Sequence, residues 1–200
     1  MAFPLPFEKL VVALGRLPGM GPKSARRVAF YLLGCPVGEV EELADLMRSM
    51  RQELRYCRQC FFLTWQSDIC HICADPGRER SQLLVVADPK DVVTLESAKV
   101  FKGLYHVLGG VYSPLQQRGI EQLRVKELLQ RLKTETIVEL IFALPPSVEG
   151  EATRSLILQQ GGSTPFKVSQ LAVGLPVGSD IEYIDQLTLG QAIRARVPLL

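Results

Sequence analysis

The chain has few of the features that mark membrane, secreted or repetitive proteins. Its 200 residues contain no uninterrupted apolar run near the roughly 20 residues that a membrane-spanning helix needs. The first residues, MAFPLPFEKL, lack the basic segment and the apolar core of a signal peptide. There is no internal repeat and no low-complexity segment, and 47% hydrophobic and 22% charged residues are ordinary globular values. We therefore expect a folded cytoplasmic protein with no membrane partner.

Net charge is also scarce, but the charges are unevenly placed. The formal net charge is only +2, which does not by itself indicate a nucleic-acid-binding protein. Residues 1–35 nevertheless hold five basic side chains against Glu8 alone, and residues 36–47 hold four acidic side chains and no basic one. A local basic surface near the N-terminus is therefore expected.

The sequence LPGMGPKSARR separates two segments with helical apolar spacing. Gly19 and Gly21 allow a sharp turn, and Pro22 suits the first position of a new helix. Backbone N–H groups at that helix start form an anion site, and Lys23 and Arg27, four residues apart, share one helix face. The pattern predicts a helix-hairpin-helix that grips a nucleic-acid backbone without reading bases. The alternative is an ordinary αα-hairpin with solvated basic residues.

Two Cys-x-x-Cys pairs, separated by nine residues, follow a third helix predicted from Val40 to Leu54. Such pairs fold together to place four thiolates around a tetrahedral ion, normally zinc, in a structural site with no open position. The predicted ligands are Cys57, Cys60, Cys70 and Cys73. A redox dithiol is the alternative, although one pair would suffice for it.

Other residues in and near this segment have less specific interpretations. His71 could replace a cysteine as a ligand, but its position between two cysteines favours a bystander. Cys35, outside both pairs, is expected to be a buried small residue. Phe61, Phe62 and Trp65 are expected to form the small core of the finger, with base stacking as the alternative.

After residue 82, apolar strands alternate with helical segments. LLVVA, LYHVLGGV, TIVELIFAL and KVSQLAVG read as strands, separated by DPKDVVTLESAKV, IEQLRVKELLQRLK and EATRSLILQQ as helices. This alternation predicts a mostly parallel sheet covered on both sides. The tail, from PVGSD onward, is expected to contain a short strand and a last helix.

Two strand ends in this region are places where phosphoryl-transfer chemistry could lie. A metal-dependent site needs several converging carboxylates. Asp88 and Asp91 follow the first strand, while Glu149 and Glu151 appear only after LPPS. The alternative is that these two glutamates stabilise the first turn of a helix by facing its dipole.

Taken in order, these pieces resemble the RecR family of bacterial recombination mediators over essentially the whole chain. The resemblance rests on the hairpin, the four-cysteine finger, VVADPKDVVTLE, GLYHVLGGVYSPL, VEGEAT and GLPVGSDIEYIDQLTLGQAI. It implies an α+β multidomain protein with four parts: a helix-hairpin-helix module (1–54), a C4 zinc finger (55–78), an α/β Toprim domain with a mostly parallel sheet (79–174) and a C-terminal oligomerisation segment (175–200).

The Toprim resemblance also shows what this chain lacks. Toprim enzymes have a glutamate at the end of the first strand and an Asp-x-Asp pair before a Glu-Gly-Glu stretch. Aligned on Glu149-Gly150-Glu151, those three positions hold Ala87, Pro145 and Ser147. The sequence therefore predicts a protein that is not an enzyme and, with no Gly-rich phosphate loop, does not hydrolyse ATP. A metal-dependent Toprim nuclease or topoisomerase-like enzyme is the alternative, and an RNA-binding zinc-ribbon protein is a third possibility.

The resemblance further implies a homo-oligomer, commonly a tetrameric ring, that clamps gapped or junction DNA without sequence preference in the nucleoid. Such proteins act with RecO, and in many bacteria with RecF, to load RecA. By motif, the expected DNA-binding residues are Gly19, Gly21, Lys23, Arg26 and Arg27. One structural Zn²⁺ per chain is expected on Cys57, Cys60, Cys70 and Cys73, and Glu149 and Glu151 are expected to lie on the partner-binding face.

Overall fold

The computed structural model describes residues 3–162 and 165–198. The chain divides into two compact units, Met1–Leu54 and Arg55–Leu200, and we describe each unit by itself. Within the described residues, no helix is both long enough and apolar enough to span a bilayer. The four-part division of the chain stays a prediction.

The first unit consists of three helices in the predicted order. They are α1 (Leu5–Leu14), α2 (Pro22–Gly34) and α3 (Val37–Glu53). Two of them begin earlier than the apolar spacing predicts, because Pro4 and Pro36 occupy the N-cap positions with φ of −53° and −54° and start the following helix. The predicted helix, turn, helix arrangement is confirmed.

Little of the first unit is buried in the single chain. Ala25 and Ala29 on α2 are fully buried, whereas α1 and α3 contain no buried residue. The apolar side chains of α3 that share its predicted face are largely exposed, and Leu46, Met47 and Met50 are each more than half exposed. Helix α3 is therefore amphipathic as predicted, but nothing within the described part of the first unit covers its apolar face.

The second unit is built on a four-stranded parallel sheet. Its strands are β3 (Glu79–Val86), β4 (Gly103–Val107), β5 (Glu139–Ala143) and β6 (Lys167–Gln170), in the order β4-β3-β5-β6. The connecting helices are α5 (Pro89–Ala98), α6 (Val125–Thr134) and α7 (Val148–Gly161), and α8 (Gln186–Arg194) follows the sheet. The predicted mixed α+β fold with a parallel sheet is confirmed.

Strand β4 and the second half of β3 are buried on both faces, as the continuous apolar strand at 83–87 predicts. Leu83 and Val85 belong to one hydrophobic cluster with helices α6 and α7, and Leu84 and Val86 belong to the other. The second cluster includes all four paired cysteines. The finger and the sheet therefore share one core, so the segment has more apolar support than its own sequence indicates.

Several local elements differ from the predictions. Helix α6 begins at Val125 rather than near Ile120, because residues Ile120–Gln122 form a separate 3₁₀ turn. The described part of the tail has a 3₁₀ turn at Ile181–Tyr183 and helix α8, and the expected short strand is absent from it. The finger contains two short paired strands, β1 (Leu54–Tyr56) and β2 (Leu63–Trp65), and a one-turn helix, α4 (His71–Ala74), none of which was predicted.

Candidate nucleic-acid surface and metal centre

The hairpin between α1 and α2 has the geometry of a backbone anion site. Gly19 adopts a φ of +78°, a left-handed conformation that favours glycine. Gly21 is the N-cap of α2 with an extended backbone, and no atom lies within 4 Å of where its Cβ would stand. No side chain caps the first N–H groups of this helix. The turn therefore leaves polar backbone exposed at the positive end of a helix, where an anion is favoured.

Three basic side chains stand next to this turn, and all three are exposed. Among the described residues, Lys23 and Arg27 have no ion-pair partner. Arg26 differs, since its guanidinium carbon lies 6.0 Å from the centre of the Phe3 ring. The structure thus brings Lys23 and Arg27 together on one free basic face, and their role in DNA binding stays a prediction.

The four paired cysteines form the one set of three or more His, Cys, Asp or Glu side chains in the described ranges that could share an ion. All four are buried, and their sulfur atoms lie within 4.8 Å of one another. Cys60 Sγ and Cys70 Sγ are 3.5 Å apart. A tetrahedral ion with Zn–S bonds of about 2.3 Å requires sulfur separations of about 3.8 Å. The donor set therefore fits a four-coordinate thiophilic metal with no open position.

Two sulfur atoms of this cluster accept backbone hydrogen bonds, and the pKa of one of these thiols, Cys57, is lowered. The backbone N–H of Cys70 donates to Cys57 Sγ at 3.3 Å, and that of Phe62 donates to Cys60 Sγ at 3.5 Å. Hydrogen bonds from the thiols of Cys60, Cys70 and Cys73 lower the pKa of Cys57. His71 is exposed in the one-turn helix, and it is not part of the ligand set.

The metal centre is tied directly to the sheet. The carbonyl oxygen of Cys60 accepts a hydrogen bond from the Val107 N–H at 2.8 Å, at the end of β4. The carbonyl oxygen of Cys73 accepts one from Arg80 Nη2 at 3.2 Å, near the start of β3. Each Cys-x-x-Cys pair is therefore anchored to a different sheet strand, and an ion between them would fix both anchors at once.

The three aromatic residues of the finger have different environments. Phe62 is 8% exposed and belongs to the shared core, as expected. Trp65 is 56% exposed, so its assignment to a finger core is wrong. Phe61 is half-buried with a φ of +62°, and its ring centre lies 4.9 Å from the guanidinium carbon of Arg124. Cys35, expected to be buried, is only half-buried, and its thiol donates to the Tyr31 carbonyl at 3.4 Å.

Sequence reasoning missed a buried histidine that supports Arg124. His106 on β4 is fully buried, and burial lowers its pKa to about 4, so the ring is neutral at pH 7. Its Nε2 lies 2.8 Å from the carbonyl oxygen of Arg124, which can only accept, so this nitrogen donates. The GLYHVLGG sequence places this histidine in the strand, but nothing in the spacing connects it to a residue 18 positions later.

At the two strand ends where the Toprim resemblance implies metal-binding acids, local hydrogen bonds engage the backbone. Ala87 is 3% exposed at the end of β3, and its carbonyl oxygen accepts hydrogen bonds from Gly109 and Gly110, both at 2.9 Å. After β5, Ser147 is the N-cap of α7 and its hydroxyl accepts from the Gly150 N–H at 3.2 Å. A Cβ on Gly150 would collide with the carbonyl oxygen of Pro145, so the chain there is tightly packed.

The acidic side chains near these strand ends stabilise the first turns of helices α5 and α7. Asp88 and Asp91 form a capping box on α5, with the Asp88 N–H donating to Asp91 Oδ2 at 2.8 Å. Glu149 and Glu151 lie in the first turn of α7, where they face the positive end of the helix dipole, and Glu151 pairs with Arg154. The helix-start interpretation of LPPSVEGEAT therefore describes its local structure.

This cap gives a direct test of the helix start. Ser147→Ala is expected to lower the stability of the second unit by about 1 kcal/mol and Tm by about 2–4 °C, because the Gly150 N–H loses its acceptor. Ser147→Asp is the matched control, since aspartate is an equally good N-cap and should preserve Tm. Thermal unfolding followed by circular dichroism measures both variants. Equal Tm values for the alanine and aspartate variants would contradict the assigned cap.

Three family models match this chain, and together they span most of it. A RecR helix-hairpin-helix model matches residues 7–51, a Toprim domain model matches residues 81–172 and a RecR C-terminal model matches residues 174–197. The paired cysteines lie in the interval between the first two matches. The models therefore coincide with the hairpin, the sheet and the tail described above.

Full-length relatives agree with these models. The chain is 45% identical over 96% of its length to "Recombination protein RecR" of Cutibacterium acnes, covering 95% of that protein. It is 46% identical over 94% of its length to the protein of the same name in Tropheryma whipplei, again covering 95%. It is 44% identical to the protein of that name in Bifidobacterium longum subsp. infantis, covering 98% of both chains.

Proposed function

Since this chain belongs to the RecR family of recombination proteins, we propose that it is a non-catalytic DNA-binding clamp and adaptor in recombinational DNA repair. The observation that most directly supports this proposal is the hairpin of the first unit. It presents uncapped backbone N–H groups beside two basic side chains that pair with no acid in the described part of the chain. Contacts of this kind are made to phosphates, which have no sequence information. The clamp accordingly binds gapped or junction DNA without reading its bases.

The adaptor role, rather than catalysis, is supported by the Toprim strand ends. A phosphoryl-transfer site needs carboxylates that converge on a metal ion. Here Ala87, Pro145 and Ser147 occupy the positions of three such acids, and backbone hydrogen bonds and helix caps use the surrounding polar groups. Glu149 and Glu151 alone do not provide a ligand set. On this proposal, the carboxyl ends of these strands support a protein-binding surface and hold no catalytic ion.

We assign partner binding to the surface at the carboxyl ends of these same strands. Glu149 is half-buried and Glu151 is exposed on the first turn of α7, and Glu151 lines a cleft of about 300 Å³ between the ends of β5 and β6. We assign this face to RecO, and in organisms that have it to RecF, so that RecA is loaded at single-strand gaps.

Self-assembly is supported by the exposed apolar side chains of the first unit. Helices α1 and α3 have no buried residue in the single chain. Large exposed apolar side chains concentrated on a helix, such as Leu46, Met47 and Met50 of α3, are typical of a surface that binds other protein. The proposal is a ring of several copies, commonly four, with the C-terminal segment contributing to subunit contacts.

The ion in the four-cysteine site is assigned as zinc, one per chain. Four thiolates with no oxygen ligand suit zinc, and the absence of an open coordination position makes the site structural. When bound, the ion contributes folding free energy and performs no chemical step.

The test is one experiment on the full chain with a gapped plasmid in Mg²⁺, with and without RecO. Light scattering gives the mass of the free protein and of each complex, and electrophoresis gives the integrity of the plasmid. The expected results are an oligomer that retains its subunit number on DNA, an added mass when RecO is present, and an intact plasmid. A monomer that binds no DNA would contradict the clamp. Plasmid cleavage or relaxation that Glu149→Ala abolishes would instead establish the Toprim enzyme.

A further inference from the structure

A cleft of about 270 Å³ lies between the finger and the carboxyl end of β4, within the second unit. Two aromatic residues, one arginine and two other polar residues line it together with four further residues: Tyr56, Phe61, Asp88, Gln122 and Arg124, with Pro89, Val107, Leu108 and Gly109. Small-molecule pockets in proteins usually measure about 300–1,000 Å³, so this cleft has room for one planar ring system and not for a large ligand. The structural role of the finger makes no use of it.

The aromatic wall of this cleft is held in an uncommon conformation. Phe61 directly follows the metal ligand Cys60 and has a φ of +62°, which is rare for a bulky side chain. Such strain persists only where the surroundings enforce it, and it is concentrated at binding sites. The ring makes an edge contact with the His106 ring, with centroids 5.4 Å apart, and leaves part of its surface exposed.

The arginine over this ring is positioned by its backbone. The Arg124 N–H donates to the Leu108 carbonyl oxygen at 2.9 Å, and the Arg124 carbonyl accepts from His106 Nε2 at 2.8 Å. Its guanidinium lies over Phe61 and pairs with Glu127 through Nη1 at 3.1 Å. A guanidinium has five N–H groups, so this pairing leaves donors for a phosphate. The side chain remains 51% exposed.

We propose that this cleft receives one unpaired base of single-stranded DNA, stacked on Tyr56 and Phe61, with Arg124 contacting the adjacent phosphate. The 62% exposed ring of Tyr56 supplies a second stacking surface. The Gln122 amide, which lines the cleft, offers both a hydrogen-bond acceptor and donors, which a base edge can use and an aliphatic side chain of a protein partner cannot. Stacking is tolerant of sequence, because every base has a π-face.

This subsite rests on the proposed DNA-binding function and extends it. The hairpin of the first unit grips phosphates, which duplex and single strands share. Only an unpaired base can enter a cleft and stack on its aromatic side chains. The two sites together would therefore favour a gap or junction over continuous duplex.

The test compares binding to oligothymidylate and to duplex DNA of equal length at one salt concentration. Tyr56→Ala and Phe61→Gly are each expected to weaken oligothymidylate binding about tenfold and to leave duplex binding within about twofold, since one stacked base is lost. Glycine at position 61 also relieves the positive φ, which offsets part of the packing that the ring loses against the core, and circular dichroism checks that each variant is folded. Tyr56→Phe retains a ring and should bind as the wild type does. Arg58→Ala removes another exposed finger arginine, whose partner is Asp68 and which does not line the cleft, and should have no effect.

A crosslinking experiment locates the base independently. With 5-iodouracil in the gap of a gapped duplex, irradiation should join the DNA to Tyr56 or Phe61, identified by mass spectrometry of the tryptic peptides.

Unchanged oligothymidylate binding by Tyr56→Ala and Phe61→Gly would overturn the inference, and so would a loss of RecO binding with DNA binding intact. In both cases, duplex binding that is weakened by Lys23→Ala with Arg27→Ala would still support the proposed DNA clamp. A wild-type protein that binds neither DNA would remove the clamp and the subsite together.

Discussion

Cys57→Ser is expected to abolish the bound metal and to unfold much of the second unit at 37 °C. The four sulfur atoms lie in the same buried cluster as β3 and β4, and the carbonyls of Cys60 and Cys73 are hydrogen-bonded to sheet strands. Structural zinc contributes about 10–16 kcal/mol in zinc-finger peptides, whereas a whole domain is stable by only about 5–15 kcal/mol. Loss of the ion therefore removes an amount comparable with the entire stability of the unit.

The measurement is metal content by mass spectrometry of the native protein, together with thermal unfolding by circular dichroism. Cys35→Ser is the matched control, because Cys35 lies outside the cluster and a serine hydroxyl can keep its hydrogen bond to the Tyr31 carbonyl. That variant should retain one ion and an unchanged Tm. A Cys57→Ser protein that is free of metal but melts as the wild type does would contradict a structural role for the site.

Lys23→Ala combined with Arg27→Ala is expected to weaken DNA binding about 60-fold at 0.1 M salt. Each phosphate contact steepens the dependence of log K on log salt concentration by about 0.9, so two lost contacts reduce the slope by about 1.8. The loss should be similar for all DNA sequences, because phosphates are the same in each. Fluorescence anisotropy of labelled gapped DNA between 50 mM and 300 mM salt measures both the affinity and the slope.

A second double variant separates local contacts from total charge. Arg48→Ala with Arg51→Ala removes two basic residues from α3 of the same unit, and Arg48 already pairs with Asp45. This control should change the salt slope by less than half a unit. If both double variants reduced affinity and slope equally, the hairpin would have no special role.

The sequence predicts those parts of the fold that depend on local chemistry. Gly19 and Pro22 specify the hairpin because glycine accepts a positive φ and proline fixes φ at a helical value, and LLVVA specifies a strand buried on both faces. The spacing of two Cys-x-x-Cys pairs likewise predicts a four-sulfur cluster before any coordinates exist.

Features that depend on contacts between distant segments could not be predicted in this way. The position of Arg124 over Phe61 depends on a hydrogen bond to His106, and the shared core of finger and sheet depends on β3 and β4 meeting the cysteines. The exposed state of Trp65 also contradicts its apolar character. Periodicity reports which side of an element is apolar, but not which neighbour, if any, covers it.

The burial of Ala87 determines what an acid would do at the end of β3. Ala87 is 3% exposed, and its carbonyl oxygen already accepts hydrogen bonds from Gly109 and Gly110. A glutamate there would place a carboxylate in the core, where an unpaired charge lowers stability. Building an ion site at this strand end by one substitution at a time therefore begins with a variant that is less stable than the present chain.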